Sequence, residues 1–81
     1  MNLKDTVELM NSNDYCERFK AEFYQVRIRL DKLIDFLDKW YRGELDFKPK
    51  CSFETLCTQR DIMQAYISIL RERAKIEGVQ L

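Results

Sequence analysis

From Cys16 to Trp40 apolar side chains recur at spacings of 3, 4, 3, 4, 3, 4 and 3: Cys16, Phe19, Phe23, Val26, Leu30, Leu33, Leu37 and Trp40. A mean repeat of 3.5 residues, held without a break for over three heptads, puts one stripe of a long helix against another helix. The period of two that a half-buried strand needs is absent. The chain is therefore read as all-α.

The ends of this helix are marked by residue type. Asp14 suits an N-cap, and Glu17 three residues later can reach back to the cap's own amide, a capping box with Asp in the Ser/Thr place. Gly43 can take the left-handed conformation that follows a helix C-terminus, so the helix stops near Tyr41 or Arg42. Before it, "MNLKDTVELMNSN" forms a short arm of one or two turns. After it, "GELDFKPKCS" is a connector that holds Gly43 and Pro49 but also the apolar anchors Leu45 and Phe47. Ser52 then caps a second helix from Phe53 to about Glu77, closed by Gly78.

On the second helix Leu56, Met63, Tyr66 and Leu70 make one inward seam, with Gln59 and Arg73 at the remaining places, while Ile62, Ile69 and Ile76 make another about 100° away. A short connector between two long amphipathic helices gives an antiparallel two-helix hairpin. The expected organisation is a single domain with an arm at 1–13, a first helix at 14–42, a connector at 43–52 and a second helix at 53–78.

The segment "VRIRLDKLIDFLDKW", Val26 to Trp40, carries more apolar surface than one partner helix covers. Ile34 and Phe36 widen the stripe at its edges, and Ile28 falls directly opposite. An 81-residue chain buries only about 60% of the surface its unfolded form exposes, and two helices alone rarely make a sufficient core. The surplus predicts a homo-oligomer in a helical bundle, with Ile28, Ile34, Phe36, Ile62, Ile69 and Ile76 at its interface.

Composition removes several function classes. Fourteen Lys and Arg balance fourteen Asp and Glu, so no overall field draws the chain to long nucleic acid or an anionic membrane. No apolar run approaches a membrane span. Histidine is absent, and with it the commonest general base and metal ligand. The odd cysteine count, Cys16, Cys51 and Cys57, with no export signal, fits a reduced cytoplasmic setting. Their spacing is not that of a zinc site. The helical cysteines are read as small core residues and Cys51 as a free thiol. Asp31, Asp35 and Asp38 alternate with Lys32 and Lys39 as on a solvated helix face. The expectation is a protein that is not an enzyme and has no metal and no cofactor.

A ligand site can be assembled at the connector end. Trp40, Tyr41, Arg42, Lys48 and Lys50 converge there with the unpaired amides that open the second helix. Aromatic faces stack on a base, and cations with helix N-terminal amides suit phosphate. A second basic group, Arg71, Arg73 and Lys75, complements the dipole at a helix C-terminus.

The stretches "DYCERFKAEFYQVRIRLDKLIDFLDKW" and "LCTQRDIMQAYISILRERAKIEGV" resemble a largely uncharacterised family of small helical proteins of tailed bacteriophages, including the crAss-like phages. The resemblance rests on Tyr15, Arg18, Glu22, Leu33, Phe36 and Leu37, then Leu56, Gln59, Met63, Tyr66, Leu70 and Arg73, across residues 14 to 78. It implies a phage protein in the cytoplasm of the infected bacterium, and no reaction. The connector is long for that family, and the arm has no clear counterpart in it. By fold-level analogy the chain is also similar to small oligomeric phage sponges that hold cyclic nucleotides of bacterial immune signalling without cleaving them. The partners so implied are a second copy of the chain and a cyclic nucleotide or related signal. The alternative is a coiled-coil adaptor for a host or phage protein.

Overall fold

The computed structural model describes residues 1–81. It is all-helical. A 3-10 turn at Leu3–Thr6 leads into α1 (Val7–Met10), followed by the two long helices α2 (Tyr15–Tyr41) and α3 (Phe53–Glu77). The 27 residues of α2 span about 40 Å at 1.5 Å per residue, which accounts for the longest dimension of the molecule, 43 Å.

The long helices run in opposite directions. Tyr15 at the start of α2 meets Arg73 and Glu77 at the end of α3, Glu22 meets Tyr66, and Trp40 at the end of α2 meets Phe53 at the start of α3. Their shared core is Phe19, Phe23 and Leu30 from α2 with Ile67, Leu70 and Ala74 from α3, and Val79 closes its lower end. Leu30 and Leu70 are fully enclosed. The core is thin: ten of 81 residues are buried, consistent with two helices in contact along one face.

The helix ends follow their caps, with one change. Asp14 accepts from the Cys16 amide, but Glu17 does not return to the Asp14 amide. Ser12 stands between them, accepting from the Asp14 amide at 3.0 Å and donating to Glu17 at 2.8 Å. The expected capping box is thus relayed through a hydroxyl. Gly43 and Gly78 both lie in the left-handed region, at φ of 71° and 73°. After Gly78 the Val79 amide returns to the Ala74 carbonyl at 2.8 Å, which tucks Val79 under the core.

Three core expectations shift. Cys16 is exposed, because it sits in the first turn of α2, where Tyr15 makes the contact with α3 instead. On α3 the innermost residue of its turn is Ile67, whereas Tyr66 stays at the edge with its hydroxyl donating to Glu22. A phenol keeps its hydroxyl at a polar rim for the same reason that an aliphatic chain goes inside. The third shift concerns the far side of α2. There the arm folds back, and Thr6 and Ala21, each about 1% exposed, are buried between them. Gln25, one turn beyond Ala21, donates to the Thr6 hydroxyl at 2.9 Å. Ile28 shares this face and is half-buried. What lies on the side of α2 away from α3 is, in the first instance, the chain's own N-terminal arm.

Candidate functional site

The connector end of the helix pair holds an aromatic cluster. Phe36 and Trp40 are one helical turn apart on α2 and meet edge to face at 5.9 Å, and Trp40 meets Phe53 of α3 at 5.3 Å. The connector folds over this end, placing Phe47 against Phe36 at 6.0 Å. A recess of about 280 Å³ opens beside Trp40, walled by Leu45, Phe47 and Pro49 with Lys48 at its edge. An indole with apolar neighbours and one lysine is suited to a planar ring that stacks on it and carries its negative charge on a substituent toward the lysine.

The five ligand residues expected from the sequence are divided. Trp40 and Lys48 share the recess. Tyr41, 83% exposed, is turned about 100° around the helix from Trp40 and lines a separate recess of about 310 Å³ with Ile34, Leu37, Asp38, Phe53 and Arg60. Arg42 is engaged by Asp38 at 2.8 Å and Glu44 at 3.5 Å, so its charge is balanced within the chain. Lys50 is exposed and lines neither recess. At the start of α3 the Ser52 hydroxyl already takes the Thr55 amide at 3.1 Å, which removes one of the donors expected for an anion.

Phe36 and Phe47 are the residues that sequence reasoning missed here. The spacing of Phe36 and Trp40 by four residues is a legible signal, and Phe36, expected at a face between chains, packs against Trp40 and Phe47 of its own chain. Ile34 likewise packs against the core. The α3 isoleucines differ. Ile62, Ile69 and Ile76 are 65%, 53% and 77% exposed, an uncovered apolar row at intervals of one heptad.

A polar cluster occupies the other end. The Tyr15 hydroxyl donates to Glu77, and Arg73 reaches both, at 3.3 Å to Glu77 and 3.2 Å to Tyr15. The bond to Glu77 pushes the Tyr15 phenol above its ordinary range, and the same bond, followed by Arg73, holds the Glu77 carboxyl below its own. The bond to Glu22 raises Tyr66 in the same way. The Arg73 guanidinium also lies 5.0 Å from the centre of the Phe19 ring. These contacts tie helix to helix. Arg73 is thereby committed within the chain, beyond complementing a dipole. No group of acidic or cysteine side chains is arranged to hold a metal ion, and no helix is long and apolar enough to cross a membrane.

Two long antiparallel helices, a short arm packed across one of them and open recesses along the pair define a small all-helical scaffold. Residues 13–76 match the family model for Sequestin, and the chain belongs to the Sequestin family. The matched segment takes in α2, the connector and nearly all of α3, and leaves out the arm. Comparison with curated proteins and with solved structures finds no match.

Proposed function

We propose that this chain is a non-enzymatic bacteriophage protein that counters host defence in the cytoplasm of the infected bacterium by sequestering a nucleotide immune signal, and that it does so as an oligomer of helical chains. The family name speaks of sequestering, which favours a held ligand over a converted one. The observation that carries the reading is the recess in which Trp40, flanked by Phe36 and Phe47, offers a stacking surface beside the ammonium of Lys48. A base stacks on the ring, and the phosphate lies toward Lys48. Sequestration of this kind needs no general base and acts by mass balance, one site removing one signal molecule.

A second reading has its own observation. The uncovered row Ile62, Ile69 and Ile76 is the surface a coiled-coil adaptor would offer to a host or phage protein. In the sequestering reading the same row joins copies of this chain.

Calorimetry against cyclic di- and trinucleotides and ADP-ribose derivatives tests the proposal. Saturable binding of one of them, lost in Trp40→Ala and weakened in Lys48→Ala, supports it. No binding by the wild-type protein overturns it, and recovery of a stoichiometric protein partner from infected cells would then favour the adaptor.

A further inference from the structure

Away from the connector, α2 and α3 leave a groove between them that the aromatic recess does not share. It encloses about 330 Å³, with Leu30, Ile34 and Ile67 as its floor, and Arg27 and Gln64, with Ser68 and Arg71, as its polar walls. Two arginines, one from each long helix, thus line one small space.

Their commitments inside the chain differ. Arg27 has a carboxylate, Asp31, at 3.4 Å one turn along α2, a half-exposed pair that leaves much of its fork free. Arg71 has no ion pair at all. Its guanidinium instead lies 5.7 Å from the centre of the Phe23 ring, and Phe23 is a buried core residue. The ring fixes the position of the charge without neutralising it, because a cation over an aromatic face keeps its in-plane N–H donors. An exposed arginine over a core ring, without an ion pair, at the wall of a groove that also presents an amide and a hydroxyl has the donor set for an oxyanion. The molecule's net charge of zero and the small size of the space fit a small ligand better than a nucleic-acid backbone.

We propose that the groove between α2 and α3 is a second ligand site, which takes the phosphate group of a small phosphorylated molecule between Arg27 and Arg71, with Gln64 and Ser68 completing its hydrogen bonds. The site stands independently of the aromatic recess and of the sequestration reading.

The test is a titration of isotope-labelled protein with inorganic phosphate, followed by NMR at constant ionic strength with chloride as the reference salt. Saturable shifts at Gln64, Ser68 and the Arg71 side chain are expected, and Arg71→Gln is expected to weaken them about tenfold or more, given the strength of hydrogen bonds to charged groups. Arg29→Gln removes the same charge from an exposed position off the groove and should leave the titration unchanged. If Arg71→Gln lowers the melting temperature through its loss of packing on Phe23, Arg27→Gln is read in its place and should weaken binding likewise. The proposal is overturned by shifts that chloride reproduces, by shifts located elsewhere, or by equal weakening in Arg29→Gln. Its failure is separate from that of the sequestration reading, which is decided by nucleotide binding and its loss in Trp40→Ala.

Discussion

The Gln25 side-chain amide donates to the hydroxyl of Thr6 at 2.9 Å, joining the first turn of the chain to the middle of α2. The Thr6 hydroxyl in turn donates to the Leu3 carbonyl at 2.7 Å, so one buried group holds the arm to itself and to the long helix. Thr6→Val keeps the shape and removes both bonds. It should cost about 1–2 kcal/mol, which for a domain of this size lowers the melting temperature by roughly 4–16 °C. A melting temperature equal to that of the wild type would show that the arm is not anchored here.

The two rows of α3 predict opposite behaviour on substitution. Leu70 is fully enclosed, and Leu70→Ala should cost about 3 kcal/mol in chemical unfolding. Ile69 is its immediate neighbour and over half exposed, so Ile69→Asp should leave the stability of the isolated chain within about 0.5 kcal/mol. If the isoleucine row joins copies, the same variant brings the mass by light scattering down to that of one chain, 9.8 kDa. A wild-type protein already at that mass at micromolar concentration would contradict the oligomer.

Gly78 ends α3 at a φ of 73°, and the chain reversal it permits places Val79 against the core. Gly78→Ala meets no neighbouring atom but must adopt the left-handed conformation, at a cost of about 1 kcal/mol. Gly78→Asn should cost less, since asparagine visits that region more readily. Equal stability of all three proteins in urea would contradict the assignment.

The pair Tyr15 and Glu77 sets a pH window. Glu77 has its folded-state pKa lowered by the Tyr15 hydroxyl and then by Arg73, so its contribution is present above the ordinary carboxylate value of about 4.3 and is lost as the pH falls through the lowered value. Tyr15 is raised by its bond to Glu77, so its contribution is present below about 10 and lost as the pH rises through the raised value. The two losses bracket a neutral plateau. Tyr15→Phe should lower the plateau and flatten both limbs in a series of thermal melts, and a profile parallel to that of the wild type would contradict the coupling.

Much of this was legible in the sequence because helix ends are written in local residue types. Asp14, Ser52, Gly43 and Gly78 each act on backbone within a few positions of themselves, so the bounds of α2 and α3 follow from reading the chain. Features set by the mutual register of the helices were not legible. Heptad counting alone could not place Ile67 rather than Tyr66 at the centre, or Arg71 over Phe23, since both depend on how far one helix slides along the other. The arm's use of Thr6 is a single long-range contact with no periodic signal behind it. At the connector, Trp40 and Tyr41 are adjacent in sequence and so face different recesses, a consequence of 100° per residue that separates the expected site into two.

The proposed function is that the chain holds a nucleotide signal without converting it. The most direct measurement is isothermal titration of the wild-type protein with the panel of cyclic oligonucleotides and ADP-ribose derivatives, followed by recovery of the bound compound from the denatured complex. Saturable binding of one compound, its return chemically intact, and loss of the heat in Trp40→Ala are expected. No heat with any of them, or a cleaved product in the recovered fraction, would contradict it.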